Sequence, residues 1–290
     1  MLKKLIKHDF RALSRTLFPL QIGVLAGGLL ATLLTILTIR LSHFPEASSG
    51  GSTLLHGTTL AISVTLSVLI AFAIAASAFV TILLICIHFY RNFLCDEGYL
   101  TFTLPVSTGK LLWSKLITGM LWAAINVVVI FVTILLFAVF GTSSSGIVNR
   151  EVLQGINDIF TELLPKAREY FNLPLLIAEC AVVGVLMMAS QMLEIYFAIV
   201  VGGQIAKKHR ILAAIGMYLL INMGVGIVSS IFTSAVVFGQ GVWDLSFNTA
   251  AAAGRFAVSV IGWFGLLFMG LSVLFFLLSR LLLNRNLNLQ

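Results

Sequence analysis

The stretch TLAISVTLSVLIAFAIAASAFVTILLICI, Thr59 to Ile87, decides the fold, because it runs for twenty-nine residues without one charged side chain. At 1.5 Å rise per residue such a helix reaches roughly 43 Å, more than the ~30 Å hydrocarbon core of a bilayer. The run is continuous rather than alternating, which favours a helix over a barrel strand, and an open sheet leaves its backbone unsatisfied in lipid.

Working outward from this run, five more apolar stretches occur, approximately Phe18 to Ile39, Leu116 to Phe140, Leu173 to Ile205, Ile211 to Phe238 and Phe256 to Ser279. The predicted fold class is therefore all-α, a polytopic membrane protein with about six transmembrane helices. Composition agrees: 59% of the 290 residues are hydrophobic and 10% charged, against about a quarter charged in soluble domains. One integral domain, residues 1–290, is expected, with the six-helix membrane part over 18–283. Gly184, Gly202, Gly203, Gly224 and Gly226 fall inside the spans and predict tilt, close helix contact or a break.

Basic residues orient the helices. With a cytoplasmic amino terminus, thirteen of the eighteen Lys and Arg fall on that side: Lys3, Lys4, Lys7, Arg11, Arg15, Arg91, Lys110, Lys115, Lys207, Lys208, Arg210, Arg280 and Arg285. Of the acids, only Asp9, Asp96 and Glu97 join them. Both termini are predicted cytoplasmic. The net charge of +7 then reports topology, and no nucleic-acid partner is expected.

Two charged segments keep helical period. Leu2, Leu5, Ile6, Phe10, Leu13 and Leu17 alternate with basic residues, predicting an interfacial helix over 1–17 that lies in the cytoplasmic leaflet. Val152, Ile156, Ile159, Phe160, Leu163, Leu164, Ala167 and Phe171 predict a second amphipathic helix, about 149–171, on the outer side.

Chemistry in this chain alone is not expected. The GxxxxGK[ST] phosphate loop and HExxH are absent, no catalytic residues or metal ligands are assigned, and no cofactor is predicted. Cys86, Cys95 and Cys180 lack CxxC spacing and are read as reduced thiols. Glu179 and Glu194, fifteen residues apart, are the intramembrane carboxylates. About 60° separates them after whole turns, so they are candidates for one polar face on a translocation path. The alternative is that Glu179 lies near the outer interface and Glu194 bonds to a neighbour.

The segment HFYRNFLCDEGYLTFTLPVSTGKLLWSKLI, His88 to Ile117, joins the second and third spans and is expected to be a structured coupling loop over 88–115. Ser107 or Thr108 can cap the following helix. An arginine, an acidic-Gly pair, then TLPVS and a lysine-bearing helix resemble the first cytoplasmic loop of ABC-2 type ABC transporter permeases of the small Gram-positive type. The matching positions are Arg91, Glu97, Gly98, Leu104, Pro105, Val106, Ser107, Lys110 and Lys115. The second loop, GGQIAKKHRI from Gly202, and the start KLIKHDFRALSR are similar to the corresponding family segments.

That resemblance implies the transmembrane subunit of an exporter in the bacterial cytoplasmic membrane. Two separate ATPase subunits, binding ATP and Mg, would be its partners, along with a second permease copy or paralogue and the lipid bilayer. It implies a coupling element at Arg91, Asp96, Glu97, Gly98, Tyr99, Leu100 and Pro105, joined by Lys207 and Lys208, and makes the amphipathic start the connecting helix. Two other readings stay open: a scaffold or sensor that docks a cytosolic protein, and a proton-coupled transporter.

Overall fold

A computed structural model of the chain describes residues 2–42, 51–95, 106–141, 149–170, 172–206, 209–239 and 250–287. Every element among them is helical: α1 (Leu2–Ser42), α2 (Gly51–Leu94), α3 (Thr108–Leu136) continued by a π-helical turn (Phe137–Gly141), α4 (Arg150–Asp158), a second π segment (Ile159–Leu163), α5 (Leu164–Tyr170), α6 (Leu173–Ile205), α7 (Arg210–Gly239) and α8 (Ala250–Leu287). Six of these helices are long and apolar enough to cross a membrane. The class this defines is a multi-pass membrane protein.

The amphipathic start does not form a separate helix. It is the first four turns of α1, which runs unbroken through the span even past Pro19. The missing amide of a proline inside a transmembrane helix is tolerated where neighbours re-satisfy the backbone. Along this start Asp9, Leu13 and Leu17 are buried, Leu2, Leu5, Ile6 and Phe10 are half-buried, and Lys3, Lys4, Lys7, Arg11 and Arg15 are exposed. Likewise α2 continues to Leu94 and α3 begins at Thr108, so Arg91 sits in the last turn of a long helix. The connection between them is shorter than 88–115.

The helices group into two compact units, one of Met1–Asp9, Cys86–Met120 and Leu163–Gln290, the other of Phe10–Ile85 and Leu121–Glu162. In the second unit a buried polar ladder ties three helices. Gln21 Nε2 donates to Thr81 Oγ1 at 3.4 Å, and Asn126 Nδ2 donates to Gln21 Oε1 at 3.3 Å. Such bonds replace an aqueous partner that lipid cannot supply, each contributing about 0.6–1.7 kcal/mol. Gly28 lets Thr133 approach: a side chain there would start 2.5 Å from Thr133 Cγ2. Phe10 stacks on the buried Trp122 at 5.0 Å. Asn149 caps α4, accepting from the backbone N–H groups of Glu151 and Val152, which satisfies donors a helix start leaves orphaned. No residue of α4 is buried.

In the first unit α6 is the central helix, packed along α7 and α8. Its contact with α7 depends on Gly202, since a Cβ there would strike the backbone of Ala213 and Ala214, which cannot rotate away. Rings join α6 to its neighbours, with Phe89 stacked on Tyr196 at 4.1 Å and Phe197 against Phe275 at 5.6 Å.

Candidate functional site

The most heavily built polar site lies in the first unit, where the start of α1 meets the end of α2, the start of α3 and the middle of α6. Asp9 is the only acid among the basic residues of the α1 start, and it shares the buried face with Leu13 and Leu17 at i, i+4 and i+8. Facing it, Ser114 and Lys115 fall among the buried Leu111, Leu112, Leu116 and Thr118 of α3.

Lys115 Nζ donates to Asp9 Oδ1 at 2.6 Å, and Ser114 Oγ donates to Asp9 Oδ2 at 2.7 Å. His88 brings Nε2 within 3.2 Å of Lys115 Nζ and 3.6 Å of Asp9 Oδ1. Its ring is flanked on the same helix by Asn92, whose Nδ2 donates to the His88 carbonyl at 2.7 Å. Tyr196 closes the cluster from α6, its hydroxyl donating to the Lys115 carbonyl at 3.2 Å.

Asp9 is 5% and Lys115 6% exposed. A carboxylate and an ammonium so removed from water are held only if each is paired and hydrogen-bonded, since either alone carries a desolvation cost of several kcal/mol. The arrangement contains no nucleophile with a base aimed at open space, so its chemistry is cohesive: it fixes four helix segments to one another. Among the described residues, no group of three His, Cys, Asp or Glu side chains is placed to hold a metal ion.

The same unit ties the second loop to the first. Arg210, at the start of α7, donates from Nη1 to the Leu94 carbonyl at 2.9 Å, satisfying an acceptor that the end of α2 leaves free. Gly203 of α6 accommodates the Leu94 side chain, which lies 2.9 Å from where a side chain on Gly203 would begin. The stems of both connections, 96–105 and 207–208, therefore meet at Leu94.

Of the residues expected to couple to a motor, Arg91 is exposed in the last turn of α2. Asp96, Glu97, Gly98, Tyr99, Leu100, Pro105, Lys207 and Lys208 lie outside the described residues.

Glu179 and Glu194 are not brought to one site. Glu194 is 4% exposed and its Oε1 accepts from Asn222 Nδ2 of α7 at 3.3 Å. Glu179 turns toward α8, where Oε1 is 2.9 Å from the Cβ position of Gly262; its Oε2 is buried without a hydrogen-bond partner among the described residues. One carboxylate thus addresses α7 and the other α8.

Sequence reasoning missed the Asp9 cluster. Asp9 entered only as a charge that sets orientation, and Lys115 as that and as part of the family-like lysine-bearing helix, yet each carries a readable signal, a single charge on the apolar face of its helix. What no spacing gives is that these charges, 106 residues apart, are partners. Comparison of the chain with protein-family models, curated proteins and solved structures finds no match.

Proposed function

We propose that the chain is the transmembrane permease subunit of an ATP-binding cassette exporter, carrying a hydrophobic or amphipathic substrate such as a peptide, drug or lipid out of the cytoplasm. ATP is hydrolysed by separate subunits, two per complex, and a second permease copy or paralogue completes the pathway in a bacterial cytoplasmic membrane. The observation that carries the reading is the stapling of the loop stems. The helices that flank the 96–105 connection, α2 and α3, meet where His88 lies against the buried Asp9–Lys115 pair, and Leu94 is held by Arg210. A force applied to a loop with loose stems is absorbed locally. Applied to one with fixed stems, it moves α1, α2, α3, α6 and α7 at that end, which is what coupling to a cytosolic motor requires.

The test is reconstitution with an ATP-binding subunit co-purified with the chain from its native host. Substrate accumulation in inverted vesicles should require ATP and the ATPase, and replacing Glu97 and Gly98 should abolish both complex formation and transport. ATP-independent movement, or a chain that never recovers an ATP-binding subunit from its native host, removes the proposal. A scaffold would lose partner binding in the same variant with no transport to lose. The buried Glu194 favours one second reading, proton-coupled transport. Flux would then follow the pH gradient and fail in Glu194→Gln.

A further inference from the structure

A second feature of the first unit points to a ligand rather than to cohesion, at the junction where α3 begins and α8 ends. Thr108 Oγ1 donates to Asn284 Oδ1 at 2.7 Å, holding the two ends together. Beside that bond the Arg280 guanidinium lies along the first turn of α3, with Nε 3.6 Å and Cζ 3.8 Å from where a side chain on Gly109 would begin. The next residue, Lys110, is exposed, as is Arg280. Neither forms an ion pair among the described residues. Two exposed cations therefore belong to one helix junction with no acid of this chain described against them, and both favour an anion there.

The depth of the pair names the anion. One turn further into each helix, Trp113 of α3 packs against Phe276 of α8 with ring centroids 5.2 Å apart. Trp113 remains 48% exposed, and on α8 Val273 and Leu277 are exposed by 53% and 48%. The cations thus cap a surface of large apolar side chains that faces lipid. Arg280 is the first charge after the charge-free stretch from Phe256 to Ser279, so it marks where hydrocarbon ends. Tryptophan at that level, with its ring in the apolar layer and Lys or Arg above it, belongs to the headgroup interface. An acidic protein surface would have to reach down to the bilayer edge to meet this pair, whereas a phospholipid phosphate is already at its height.

We infer that Lys110 and Arg280 form a headgroup site for an anionic phospholipid, whose acyl chain lies along Trp113, Phe276 and Leu277. The site does not depend on the exporter reading, since its occupant is the bilayer itself.

The full-length chain, reconstituted in phosphatidylcholine vesicles, tests this with Trp113 as reporter. Brominated acyl chains quench a tryptophan they touch, and the Trp113 signal is the difference between the natural chain and Trp113→Phe. A cation near the membrane surface favours anionic lipid by about fivefold. Brominated phosphatidylglycerol should therefore quench Trp113 at roughly ten- to thirtyfold lower mole fraction than brominated phosphatidylcholine. The preference should vanish in Lys110→Gln/Arg280→Gln. If that variant loses helicity, the single substitutions take its place, each expected to lose about fivefold.

Equal quenching by the two lipids in the natural chain overturns the inference, as does a preference that survives both substitutions. Excess inorganic phosphate should leave the preference intact; its abolition by phosphate would assign a free-anion site instead. Absence of lipid preference together with protection of Lys110 from amine labelling by an acidic soluble protein would give the surface to a protein partner and likewise refute the site.

Discussion

Replacement of Lys115 by methionine isolates the pair on which the first unit depends. Methionine keeps the length and apolar stem of lysine, so packing among Leu111, Leu112 and Leu116 is preserved while the cation is lost. Asp9 then stays at 5% exposure with the Ser114 hydroxyl at 2.7 Å as its short hydrogen bond and His88 at 3.6 Å. Breaking a buried pair from one side costs about 3–5 kcal/mol. Because Ser114 still bonds one carboxylate oxygen, the loss is placed at the lower end, about 3 kcal/mol. Removing both charges with Asp9→Leu/Lys115→Met eliminates the stranded carboxylate, and such replacements are often neutral; the double variant should recover to within about 1.5 kcal/mol of the natural chain. Reversible unfolding in mixed micelles of rising denaturing-detergent fraction, followed by helicity, gives all four corners of the cycle. Additive effects, with the double variant worse than either single one, would refute the reasoning, as would a Lys115→Met chain as stable as its parent.

Other outcomes follow from single contacts. Tyr196→Phe removes the 3.2 Å bond to the Lys115 carbonyl but keeps the stack on Phe89, so the same unfolding measurement should show a loss of about 1 kcal/mol. Gly202→Ala drives a methyl into the Ala214 backbone and should cost about 1–3 kcal/mol as an overpacked contact, while Gly216→Ala, with nothing within 4 Å, should leave stability unchanged or slightly raised. Asn126→Leu breaks the link to Gln21 at 3.3 Å and should cost about 0.6–1.7 kcal/mol. In transport assays, Glu194→Gln should keep ATP-driven flux within about threefold, because a glutamine oxygen can still accept from Asn222; loss of flux together with its pH dependence would favour proton coupling.

The fold was largely legible because crossing a bilayer demands long uncharged helices, and the six runs show this directly. Helix ends were less so. Nothing in residues 88–94 breaks a helix, so α2 extends beyond the last charge-free residue to Leu94, and α1 carries its basic start without interruption. Hydropathy marks where hydrocarbon ends, whereas a helix ends where its backbone finds caps or breakers. The candidate site was legible in its parts and not in its pairing. Asp9, His88, Ser114 and Lys115 come from three helices, and a side-chain period records a face without naming what covers it. Glu179 and Glu194 illustrate the converse: a shared arc on one helix suggested one site, but α6 has a neighbour on each side, and the two carboxylates meet α7 and α8 separately.

We propose above that the tied loop stems serve an external ATP-driven motor. Site-specific photo-crosslinking at Tyr99 in the native membrane, repeated with and without a non-hydrolysable ATP analogue, tests it most directly. One crosslinked partner is expected, an ATP-binding subunit, with a yield that changes on nucleotide binding and falls in Lys115→Met, where the stems are no longer tied. A crosslink only to lipid, or to a protein without a nucleotide site, would contradict it.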